Sequence, residues 1–182
     1  MSKEARFYGG GEERRGKPSE HFLLGSLRSE IKMYVPYDEA IKIAKDLQRE
    51  DPTNPKKLFL KDLRLAVIDA LGLVDEKAMD RVKIYTAVDS PLDHWHGVDV
   101  FIEFEDENGK SSKIVTFDAS IKDEKIESER EAVKKEIKAD ILIDKVPDPD
   151  VDGIKPYLEK VEEIAKLAVE ALKTRPSLGG QA

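Results

Sequence analysis

The chain has 182 residues, 31 Lys plus Arg against 38 Asp plus Glu, and no cysteine. That length makes one domain with a sizeable core, and 40% hydrophobic with 38% charged residues excludes both a fully disordered chain and a membrane protein. The lack of Cys excludes disulfides, thiol catalysis and Cys-bound zinc or iron–sulfur centres, and the net charge of −7 argues against a general nucleic-acid coat.

No apolar run approaches the ~18 residues of a membrane span, and the first residues lack the apolar core of a secretory signal. A reducing cytoplasm is the simplest location. The Lys and Glu content points to a heat-adapted source. Charge is uneven: residues 1–92 carry 17 basic and 16 acidic side chains, residues 93–182 carry 14 and 22.

In chain order, residues 1–20 read as a flexible tail, because Gly9-Gly10-Gly11 and the charged run to Pro18 offer nothing to bury. A single domain spans 21–175, and 176–182 is a second tail. Asp38 is the expected N-cap of a helix with Ala40, Ile41, Ala44 and Leu47 at helical spacing, ended by Asp51-Pro52-Thr53-Asn54-Pro55. A second helix over 58–71 places Leu60, Leu63, Val67 and Leu71 on one stripe, and Gly72 suits its C-terminal cap. A helical turn at 75–80 and a strand at 82–88 follow. Residues 98–105 alternate: Val98, Val100, Ile102 and Phe104 face one way, Asp99, Phe101, Glu103 and Glu105 the other. Asn108-Gly109 predicts a two-residue hairpin turn, and 113–122 alternates again. A charged helix over 124–138, a strand over 141–146 and an amphipathic helix over 154–173 complete an α/β arrangement with a mixed sheet.

The densest polar cluster is Asp93-His94-Trp95-His96-Gly97-Val98-Asp99, read as a loop or strand edge. A two-residue turn pairs positions whose numbers sum to 217, so Asp99 lies opposite Asp118. Carboxylates directly opposite on a sheet repel, by up to about 1 kcal/mol when solvated. A Mg²⁺ or Mn²⁺ ion between them removes that repulsion.

This helix–β–β–β–α–β order resembles the PD-(D/E)XK nuclease superfamily. Asp99 in Gly97-Val98-Asp99 matches the family's first metal-binding Asp, and Asp118 in Val115-Thr116-Phe117-Asp118-Ala119-Ser120 matches the second acid. The resemblance covers roughly residues 58–146. It implies a restriction-endonuclease-like fold with extra N-terminal helices and one C-terminal helix, and Mg²⁺- or Mn²⁺-dependent cleavage of phosphodiester bonds in DNA or RNA. The implied catalytic set is Asp99, Asp118 and Lys122. The family's Lys belongs two residues after Asp118, where Ser120 stands. Lys122 shares that face but lies roughly 6–7 Å further along the strand, and Lys113 is on the opposite face. Either the Lys has migrated or the site is degenerate. The acid on the preceding helix falls to Asp62 or Asp69.

Other readings stand beside this one. An outward Asp and Glu face is ordinarily solvated, although Phe101, Ile114 and Thr116 share it. Asp93, His94 and His96 form a candidate zinc set. Ser90, Ser120 and His96 lack a nucleophile-elbow pattern, and no phosphate-binding glycine motif occurs. Lys56, Lys57, Lys61 and Arg64 are either a solvated helix start or phosphate contacts. The competing functional reading is a non-catalytic binding or assembly protein that keeps the fold, with a homo-oligomer left open.

Overall fold

A computed structural model describes residues 20–119 and 139–178. The expected charged helix 124–138, with Ser120 and Lys122, lies outside the described residues.

The helices form where apolar residues recur at helical spacing, and their ends follow local chemistry. After α1 (Glu20–Leu24), helix α2 (Tyr37–Leu47) buries Ala40, Ile41 and Ala44. Its N-cap is Pro36, not Asp38, with the Ala40 N–H on the Pro36 carbonyl at 2.8 Å. Asp38 instead sits in the first turn, where an acid favours the positive end of the helix dipole. Helix α3 (Leu58–Ala70) buries Phe59, Leu60, Leu63, Val67 and Ile68. The short α4 (Glu76–Met79) is capped by Asp75, whose carboxylate accepts the Ala78 N–H at 2.9 Å.

Strand β1 (Val82–Thr86) leads to helix α5 (Pro91–His96), over a segment expected to be loop or strand edge. Strands β2 (Val100–Glu105), β3 (Ser112–Asp118) and β4 (Ile141–Leu142) follow, then α6 (Ile154–Thr174). The four strands lie in the order β1-β2-β3-β4. The first two pairings are antiparallel and β3–β4 is parallel, so the sheet is mixed.

The β2–β3 register runs from Val100 opposite Phe117 to Glu105 opposite Ser112, and each pair sums to the expected 217. The turn differs from the two-residue form. The Asp106 N–H donates to the Ser111 carbonyl at 2.8 Å, leaving a four-residue loop between them. Gly109 takes φ +66°, while the Asp106 carboxylate accepts the N–H groups of Asn108 and Lys110. A symmetric loop preserves the register, whichever of the two lengths is used.

Both sheet faces are covered. On one, Val82, Ile84, Val100, Ile102, Val115 and Phe117 pack with α3 and α6. On the other, Tyr85, Phe101 and Ile114 pack with Ala40, Ile41 and Ala44 of α2 and Leu92 of α5. Val98 joins this second cluster instead of facing with Val100, because the strand begins two residues later. The second face also buries a charge: Glu103, 4% exposed, accepts from Lys45 Nζ at 2.6 Å and Ser112 Oγ at 2.8 Å. Fully hydrogen-bonded pairing is what makes a buried carboxylate tolerable. Leu178, expected in a tail, forms an antiparallel bridge with Ser112.

Candidate carboxylate site

Helix α5 sets one wall of the site, and its short sequence explains it. Ser90 caps the N-terminus by accepting the Leu92 N–H at 3.2 Å, and Pro91 pre-sets the first helical residue. Gly97 ends the helix in the left-handed region, φ +61°, where its N–H reaches the Asp93 carbonyl at 2.9 Å. The chain therefore leaves α5 aimed at β2, and Asp99 arrives at the start of that strand. Its own N–H donates to the Phe117 carbonyl at 2.8 Å. Its carboxylate Oδ2 accepts the Ala119 N–H at 2.7 Å, beside Asp118 at the end of β3.

Helix α1 closes the site from the N-terminal side. Leu23 and Leu24 are buried in the main core, and the segment after them is sewn to the β1–α5 turn. The Leu27 N–H donates to the Val88 carbonyl at 2.9 Å and the Ser29 N–H to the Asp89 carbonyl at 3.0 Å. Asp89, held at φ +62°, takes His21 Nε2 at 2.9 Å and the Ser26 hydroxyl on one carboxylate oxygen. Its N–H in turn donates to the Asp93 carboxylate at 2.8 Å. These ties bring Glu20 against Asp93, Asp99 and Asp118.

The four carboxyls act on one another electrostatically. Asp99 is 3% exposed. Burial, then Glu20, Asp93 and Asp118, push its carboxyl up to about 9, against the opposing Ala119 N–H. Glu20 is also raised, first by burial and then by Asp93, with Asp99 opposing the shift and Asp118 adding to it. Asp93 is raised by burial and by the nearby charges of Asp89 and Asp118, against the Asp89 N–H on its carboxylate. Asp99, raised to about 9, therefore keeps its proton at neutral pH.

The chain matches no family model, no curated protein and no solved structure.

The donor chemistry fits a hard divalent cation, since every group offered is a carboxylate oxygen. As they stand, the described side chains do not close three or more His, Asp or Glu donors around one ion.

The remaining expected site residues are dispersed. His94 and His96, two apart on α5, point to different sides of the helix. His96 is buried with Nε2 at 2.8 Å from the Val35 carbonyl, and His94 is exposed. A zinc set of Asp93, His94 and His96 is therefore not assembled. Asp62 accepts the Tyr157 hydroxyl at 2.9 Å and so clamps α6 to α3, while Asp69 is exposed near the end of α3. Arg64 is 7% exposed, with Nε on the Val82 carbonyl at 2.7 Å and Nη2 on the Met79 carbonyl at 2.8 Å. Its donors hold the α3–β1 junction and are not offered to phosphate. Lys56 and Lys61 are exposed. Lys57 stands over the Phe22 ring at 5.9 Å, beside α1. Lys113 donates to the Leu172 carbonyl at 3.0 Å, on α6.

Sequence reasoning missed Glu20, which fell at the edge of the expected tail with no motif around it. It also missed α5, although Ser90-Pro91 and Gly97 are ordinary start and stop signals for a short helix.

Proposed function

We propose that this is a cytoplasmic, metal-dependent nuclease-like domain that hydrolyses phosphodiester bonds in nucleic acid. The observation that carries the reading is the convergence of Glu20, Asp93 and Asp118 on the buried Asp99. Glu20, Asp93 and Asp99 are raised first by burial and then by neighbouring acids, Asp118 among them, and a cation would offset the cost of their ionised forms. The sheet order, with two antiparallel pairings and a parallel fourth strand, supports a restriction-endonuclease-like version of the α/β fold. Asp99 and Asp118 would hold Mg²⁺ or Mn²⁺, with Glu20 and Asp93 adding carboxylate oxygens. The ion would polarise a phosphoryl oxygen and lower the pKa of a bound water. This chain's own part is to bind and orient. The Ala119 N–H fixes the Asp99 carboxylate and the Asp89 N–H fixes that of Asp93. Lys122 is proposed to steady developing negative charge. Lys56, Lys57 and Lys61 would contact phosphates beside α1.

The test is cleavage of labelled DNA and RNA with Mg²⁺ or Mn²⁺, for the wild type and for Asp99→Asn, Asp118→Asn and Glu20→Gln. Cleavage that falls at least about 100-fold in each variant supports the reading. Cleavage that survives Asp99→Asn and Asp118→Asn unchanged rejects the assignment, and no cleavage with either metal favours the non-catalytic reading.

A further inference from the structure

The segment between α1 and α2 carries its large side chains outward. Met33 is 75% exposed, Tyr34 63% and Ile31 40%. Exposure of that much apolar and aromatic surface on one short stretch is unusual for a segment with no packing role. The backbone here is not loose. Trp95 Nε1 donates to the Met33 carbonyl at 3.0 Å, and His96 Nε2 meets the Val35 carbonyl at 2.8 Å. The stretch is thus pinned on both sides of Tyr34, and the Tyr34 ring is held up to solvent on a fixed base.

That base is aromatic. The Tyr34 and Trp95 rings meet edge to face with centroids 5.7 Å apart, and His94 meets Trp95 in the same manner at 4.6 Å. Three rings therefore form a shelf along the outer side of α5. Helix α5 links the shelf to the carboxylate site, because Asp93, His94 and Trp95 are consecutive on it. At ~100° per residue they step around the helix from the carboxylates to the rings, a distance of about 10 Å across its thickness. Arg28 and Lys32, both exposed, lie on the same stretch as Tyr34, with the exposed Glu30 between them.

We propose that this shelf is a stacking platform for unpaired bases, and that the substrate is single-stranded nucleic acid or a single-stranded end. The inference rests on the nuclease-like reading for the identity of the neighbouring site. Ring faces suit bases of any sequence, and the two cations on the Tyr34 segment suit the backbone. Bases in a duplex are already stacked on one another and cannot offer their faces to such a shelf. An aromatic shelf beside an acidic centre therefore selects a strand whose bases are free.

Trp95 is the only tryptophan in the chain, so its fluorescence reports on the shelf alone. The full chain, in chelator to prevent cleavage, is titrated with an oligothymidylate of about 20 nucleotides and with a duplex of the same length. The single strand should quench Trp95 with saturation, and the duplex should not. Tyr34→Ala, a change at an exposed ring, should weaken single-strand binding about ten-fold by fluorescence and by anisotropy of a labelled strand. Equal or stronger quenching by the duplex, no quenching by either, or unchanged affinity in Tyr34→Ala overturns the proposal. The two readings fail separately. Quenching retained with no metal-dependent cleavage removes the nuclease reading and keeps the shelf, whereas metal-dependent cleavage without any quenching removes the shelf and keeps the nuclease.

Discussion

Asp99 shows how a single residue can carry opposite signs for folding and for function. Its carboxyl keeps its proton up to about 9, while in the unfolded chain it ionises at the ordinary value of 3.8. A group raised on folding binds its proton more tightly in the native state. Its contribution is fully present below pH 3.8 and is lost as pH rises through about 9. The chelated wild type should therefore lose stability steadily across that window. Asp99→Asn imitates the protonated acid, since its Oδ1 can still accept the Ala119 N–H and its amide can donate to Glu20 or Asp93. Near pH 9 it should exceed the wild type by about 2 kcal/mol, roughly 4–8 °C in Tm for a chain of this size. Parallel Tm-versus-pH curves for the two proteins would show that the carboxyl is not held protonated. Arg64 is the counterpart at this scale. Its charge invites a phosphate contact on paper, yet two backbone carbonyls consume its donors.

Among the elements, α5 matters most because it positions Asp93, His94 and Trp95 together. It is only six residues long, so its caps govern it more than its propensity does. At Gly97, φ is +61° and an added Cβ would meet nothing within 4 Å. The cost of a side chain there is conformational and not steric. Gly97→Ala should lower stability by about 1 kcal/mol in a urea titration, and Gly97→Asn by clearly less, because Asn tolerates the left-handed region. Equal losses in both would mean that crowding, not backbone conformation, sets the cost. The β2–β3 hairpin is the second decisive element. Its register was readable as a sum of 217, and the ladder keeps that sum although the loop has four residues and not two.

At the scale of the molecule, one polar knot joins β3, the chain entering β4 and the end of α6. The Asp140 carboxylate accepts the Thr116 N–H at 2.8 Å and its hydroxyl at 2.9 Å, and its other oxygen takes Arg175. Thr116 is 1% exposed, so Asp140→Ala leaves a buried donor without a partner. That variant should cost about 2–3 kcal/mol, measured by chemical denaturation, whereas Arg175→Met, at the exposed side, should cost less than about 1 kcal/mol. The opposite order would place the strength of the knot in the ion pair. Among the described residues no helix is long and apolar enough to cross a membrane. The sequence by itself determined the α/β class, the stripes of α2, α3 and α6, the three long strands and the pairing of β2 with β3. All of these follow from periods of 3.6 and 2 and from turn residues, which are local properties of the chain. Only the tertiary structure decided that Glu20 and Asp93 join Asp99 and Asp118, that His96 and Arg64 turn inward, and that Tyr34 rests on Trp95. Those outcomes depend on contacts between segments far apart in the chain, such as Ser26 and His21 on Asp89. No local period encodes such contacts, because burial and charge act through space and not along the sequence.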